Sequence, residues 1–108
     1  MINNYDENLV EISMNILINS GDAKSKAQKA FDESLDGRFE NADNLIKESN
    51  KLILKAHKSQ TDVIQSFAEG ENIEYNLLFI HAQDTLMTIK SEIDIIKNMI
   101  VMLKVLKN

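Results

Sequence analysis

The chain carries two histidines, His57 and His81, and no cysteine. Any step that needs an imidazole rests on one of these two. Thiolate nucleophiles, thiolate metal sites and disulfides are excluded. A neutral imidazole nitrogen is a competent nucleophile near neutral pH, because its unperturbed pKa is about 6.5. Phosphoryl transfer to such a nitrogen asks mainly for positioning and for donors to the equatorial oxygens. Around His81 the candidate donors are Gln83, Thr85, Thr88 and backbone amides. Asp84 follows His81 by three residues, so on a helix the two occupy neighbouring rows. A histidine placed in this way is either a surface or interface residue or a nucleophile or ligand. His57 stands beside the Ile53 and Gln60 row of another segment, where a partly buried histidine bonded across helices is expected.

Other chemistries lack their residues. The chain contains no P-loop pattern, no HExxH and no zinc-type Cys/His spacing. Arg38 is its one arginine, the formal charge is −5, and no basic stripe is present, so nucleic acid is not an expected partner. The most apolar stretch, Ile93 to Leu106, is interrupted by Asp94, Lys97 and Lys104 and is too short to span a bilayer. The first ten residues carry Asp6 and Glu7 and no base, unlike a targeting peptide. A cytoplasmic location without membrane insertion is expected.

The elements that hold these residues follow from punctuation and period. With 108 residues, 44% of them hydrophobic, no proline and three glycines, the composition fits one all-α domain over residues 1–108. Gly37 and Gly70 sit where left-handed residues end helices, which predicts helices over about 5–36, 38–69 and 72–107. Asn4 and Glu7 fit a cap and capping box for the first. Its apolar positions are Leu9, Ile12, Ile16, Ala23, Ala27, Ala30 and Phe31, and Gly21 inside it suggests a kink or a close contact. The second helix has an unbroken seam through Ala42, Ile46, Ser49, Ile53, Ala56, Gln60, Val63 and Phe67, with Ser49 and Gln60 as register-fixing polar positions. The third has its own, through Phe79, Ala82, Leu86, Ile89, Ile93, Ile96, Ile100 and Leu103. Short links between long helices predict an antiparallel, up-down-up three-helix bundle.

The third helix has a second face that wants burial. It reads Leu77, Ile80, Asp84, Met87, Thr88, Ser91, Ile95 and Met102, with Asp84 as its one charge. A bundle covers one face of a helix, so the second implies self-association, for which a closed symmetric oligomer is the usual solution. An isolated carboxylate in such an interface is costly. Either Asp84 is protonated or bridged by water, or several copies gather around a hard divalent cation.

The run Leu78-Phe79-Ile80-His81-Ala82-Gln83-Asp84-Thr85-Leu86-Met87-Thr88 resembles the signature of the lactose/cellobiose class of enzyme IIA, from the phosphoenolpyruvate-dependent sugar phosphotransferase system. Three further segments are similar to that family's motifs in order and spacing: Gly21-Asp22-Ala23-Lys24-Ser25, Asp36-Gly37-Arg38-Phe39, and Ala56-His57-Lys58-Ser59-Gln60-Thr61. The resemblance implies a parallel homotrimer with helix three lining the threefold axis. It implies that His81 carries the phosphoryl group, and that Asp84 meets its symmetry mates around a metal ion, commonly Mg2+, one per trimer. It further implies phospho-HPr as donor and a cysteine of a IIB component as acceptor, during uptake of a β-disaccharide such as cellobiose, a β-glucoside or lactose. One departure is Thr85, where members often have a second histidine. Two rival readings are a helical coiled-coil adaptor or secretion-type chaperone and a histidine phosphotransfer domain. The latter's motif has Lys and Gly shortly after the histidine, where this chain has Ala82, Gln83, Asp84 and Thr85.

Overall fold

The computed structural model describes residues 4–70 and 76–107, with side chains from Asn8 onward. Its helices are α1 (Asn4–Leu35), α2 (Phe39–Ala68) and α3 (Leu77–Lys107). The expected caps at Asn4 and Glu7 lie outside the described side chains.

Glycine ends the first two helices by the expected route. Gly37 has φ 81°, its N–H donates to the Ser34 carbonyl at 3.1 Å, and the Arg38 N–H donates to the Glu33 carbonyl at 2.9 Å. That pair of bonds is a Schellman motif, which satisfies carbonyls left over at the end of α1. Gly70 repeats it in part, with φ 97° and its N–H on the Phe67 carbonyl at 3.1 Å. Around the first turn, the Arg38 guanidinium hydrogen-bonds Glu33 and pairs with Asp36 at 3.0 Å. Those carboxylates, Glu33 first, hold its pKa above the usual arginine value. The expected start of the third helix near residue 72 lies outside the described residues. The described α3 begins at Leu77, where the Asn76 side chain accepts the Phe79 N–H at 2.9 Å, an N-cap bond.

Packing follows the seams with one addition. Ile16, Ala23 and Ala27 of α1, Ile53 and Ala56 of α2, and Ala82, Leu86, Ile89 and Ile93 of α3 form one buried cluster, and Leu9 is buried near the start of α1. Ala30, Ala42 and Ile100 close the far end. The addition is a row of buried serines on α1, namely Ser13, Ser20 and Ser34. With Ala27 they repeat every seven residues, as do Ala42, Ser49 and Ala56 on α2. Small side chains at that period let two helix backbones approach closely, and the Ser49 hydroxyl donates to the Ala23 carbonyl of α1 at 2.8 Å. Ser13 and Ser34 return their hydroxyls to the carbonyls four residues back, while the buried Ser20 hydroxyl has no partner. Phe67, expected in the α2 seam, is 63% exposed instead. It lies in the last turn of α2, and among the described residues no core cluster reaches it.

Helix α1 packs along both of the others, and α2 meets α3 only sparsely. At the far end Lys104 bridges them, its ammonium on both Asp43 oxygens at 2.8 and 3.0 Å. Gly21 makes no close contact: a Cβ built there meets open space. It faces solvent on an uninterrupted helix, so the expectation of a close helix contact is corrected.

Candidate functional site

Asn76 sets where α3 begins, and that places His81 in the second turn of the helix. Side chains on a helix lean toward its N-terminus, so the imidazole is carried toward the positive end of the α3 dipole, which favours an anion. His81 is exposed and forms one wall of an open groove of about 340 Å³ between α1 and α3. Asp84, Thr85 and Thr88 line the same wall, and Lys24 enters from α1. Lys24 forms an ion pair with Glu92 at 3.2 Å, which ties α1 to α3 along the groove.

Of the expected donors, Thr85 and Thr88 share the groove with His81. Gln83 does not line it. Two residues on from His81, it stands about 200° around the helix, on the α2 side, and is half-buried. Asp84 is exposed on the second face of α3, among Leu77, Met87, Ile95 and Met102, each more than half exposed in the single chain. Among the described residues no cluster of three or more His, Asp or Glu of one chain is set to hold a metal. His57 corrects an expectation. It is exposed, with no side-chain hydrogen bond among the described residues, because it follows the buried Ala56 by about 100° and points off the seam. Lys24 and Glu92 were not legible as groove residues. They are 68 positions apart, and only the packing of α1 on α3 brings them together.

An exposed imidazole flanked by hydroxyls, in a groove without an enclosed pocket, suits a reaction whose other reactant is carried on a second protein. Comparison with known proteins agrees. Residues 11–104 match the family described as "PTS system, Lactose/Cellobiose specific IIA subunit".

The chain belongs to this family.

It is therefore a phosphocarrier component of a sugar phosphotransferase system, and its three-helix fold is that of a IIA component. It is 38% identical over 93 residues to the lactose-specific EIIA component of Staphylococcus epidermidis, covering 86% of this chain and 89% of the relative. It is 35% identical to the galactose-specific EIIA component of Lactococcus lactis, over 79% of this chain and 73% of the relative. Among solved structures, the cellobiose-specific enzyme IIA from Bacillus anthracis superposes with a TM-score of 0.87 at 33% identity, covering 99% of this chain and 94% of that one. The chitobiose IIA of Escherichia coli, solved in complex with HPr, has a TM-score of 0.79 at 31% identity, covering 93% and 97%. Among the described residues no helix is long and apolar enough to cross a membrane.

Proposed function

We propose that this IIA component carries its phosphoryl group on His81. The observation that carries the reading is the placement of His81, exposed on the wall of an open groove beside Thr85 and Thr88. The relative solved with HPr supports phospho-HPr as donor. An imidazole nitrogen of His81 attacks the phosphorus of the HPr phosphohistidine in line. A P–N bond forms at His81 as the old P–N bond breaks, and the HPr nitrogen keeps the electron pair. The Thr85 and Thr88 hydroxyls donate to the phosphoryl oxygens. The group then passes to a cysteine thiolate of the IIB component. A P–S bond forms there as the P–N bond to His81 breaks, with the electron pair returning to the imidazole. The pathway serves a β-disaccharide, cellobiose, a β-glucoside or lactose, and runs in the cytoplasm.

The working unit in this reading is a parallel homotrimer closed through the exposed second face of α3. Asp84 is a hard oxygen donor in an otherwise uncharged stretch of that face. Three copies would hold one divalent cation, Mg2+, through carboxylate oxygens. When bound, the ion supplies the positive charge that lets three carboxylates meet at one axis.

The test is incubation with phosphoenolpyruvate, enzyme I and HPr. Wild type takes up acid-labile label and His81→Ala takes up none. An unlabelled wild type, or a fully labelled His81→Ala, overturns the assignment.

A further inference from the structure

Helix α2 turns a row of lysines outward. Lys47, Lys51, Lys55 and Lys58 are all exposed and follow one another at spacings of four, four and three. On a helix they share one face, within about 80° of arc, opposite the buried Ser49, Ile53, Ala56 and Gln60. Lys47, Lys51 and Lys55 form no ion pair among the described residues, while Lys58 pairs with Asp62 at 3.2 Å. Glu48, alongside the row, is drawn to Lys26 of α1 at 3.4 Å. Like charges at these spacings repel along a helix, so the row destabilises the chain on its own. Leu54, 66% exposed, lies between Lys51 and Lys58. The row is also bounded: exposed Glu40 precedes it and Asp62 follows it on the same face. It corrects the expectation of a chain without a basic stripe, because intervening residues separate the lysines in linear order and the helix collects them.

We propose that this face of α2 docks an acidic helical segment of a partner protein.

The observations select that class of partner. From Lys47 to Lys58 the row runs about 16 Å, or about three turns. Carboxylates at helical spacing on a second helix match such a line of charge. Laid along the row, that helix meets four ammonium groups and sets an apolar side chain against Leu54. A bilayer surface is a plane. It would also rest on Glu40, Glu48 and Asp62 and would approach a molecule of formal charge −5, which offsets the attraction at the row. A nucleic-acid strand would run past the ends of the row into the same acids, and the row offers it no arginine and no stacking side chain.

The place of the row gives it a use. The cleft between α2 and α3 sets Asn50, Ile53 and Leu54 level with Lys90, Ile93 and Lys97. Lys90 already lies about 13 Å along α3 from His81, at nine residues of rise. A partner held on α2 therefore leaves His81 open, and it stays near the site at a high effective concentration. The contact is additional to the phosphocarrier reading and does not depend on it.

Titration of the full chain with two synthetic peptides tests this. One is helical with glutamates at the spacing of the lysine row, and the other has glutamine at those positions. Amide NMR shifts report the place of binding and fluorescence anisotropy the affinity. The glutamate peptide is expected to shift residues 47–58 and to bind at least about tenfold more tightly than the glutamine peptide. Lys51→Gln combined with Lys55→Gln should weaken it about tenfold, since each exposed ion pair contributes a factor of about three. Equal binding of the two peptides overturns the proposal, as does an unchanged affinity in the double variant or a set of shifts centred outside α2. Phosphatidylglycerol vesicles that bind wild type but not the double variant, where the glutamate peptide fails to bind, assign the face to a membrane and overturn it too. Labelling through HPr should keep its rate with the glutamate peptide bound, and a blocked rate overturns the placement away from the transfer site. An unlabelled wild type overturns the phosphocarrier assignment, and the peptide titration then decides this proposal by itself.

Discussion

Two serines facing the α1–α2 interface show that burial of a hydroxyl has opposite effects depending on its partner. Ser49 donates across to the Ala23 carbonyl, whereas Ser20 is buried with its hydroxyl unpaired. Ser49→Ala is expected to lower stability by about 1 kcal/mol through loss of that bond. Ser20→Ala is expected to raise it by about 1 kcal/mol, because an orphaned hydroxyl is removed from an apolar site. Urea denaturation at one fixed protein concentration reads both. At this scale the sequence was uneven. His81 could be singled out because the chain has two histidines and because its surrounding run resembles a known signature. The direction of Gln83 relative to His81 was also present in the spacing, since residues two apart on a helix do not face each other. The Lys24–Glu92 pair was not, because it depends on how two helices dock.

Helix ends were legible where glycine supplies a conformation that other residues resist. Gly37 and Gly70 both have positive φ and both close the helices they were expected to close. Gly37→Ala is expected to cost roughly 1–2 kcal/mol, the penalty of a Cβ in the left-handed region. Space around it is ample, with the Lys107 ammonium as its nearest neighbour at 4.0 Å, so the effect is one of backbone strain. Gly21 is the counterexample, a glycine in a helix interior with nothing near it. Gly21→Ala should raise the denaturation midpoint, by about 0.5–1 kcal/mol in stability. The start of α3 was less legible: the expected start near residue 72 lies outside the described residues, and the described helix begins at the cap that the Asn76 side chain makes with the Phe79 N–H.

At the scale of the whole molecule, the bare face of α3 was readable as a stretch nearly without charges opposite a complete core seam. In the chain it leaves Leu77, Met87, Ile95 and Met102 more than half exposed. A contiguous apolar face of that kind marks an interaction site. For the proposed homotrimer, sizing by light scattering should give three times the chain mass of 12.3 kDa. The proposed metal site at Asp84 would make the assembly sensitive to metal. With a chelator present, Asp84→Ala should melt above wild type, because like charges are removed from the axis. With Mg2+ present, wild type should gain thermal stability and Asp84→Ala should not. The order of α1 against α2 and α3, and hence the groove beside His81, could not be read from any one helix.

The central claim is the site of the phosphoryl group, and mass spectrometry of the enzymatically labelled protein tests it most directly. Digestion under alkaline conditions, where phosphohistidine survives, should place one phosphoryl group per chain on the peptide that contains His81. Phosphate on the peptide that contains His57, or on no histidine, would contradict the account.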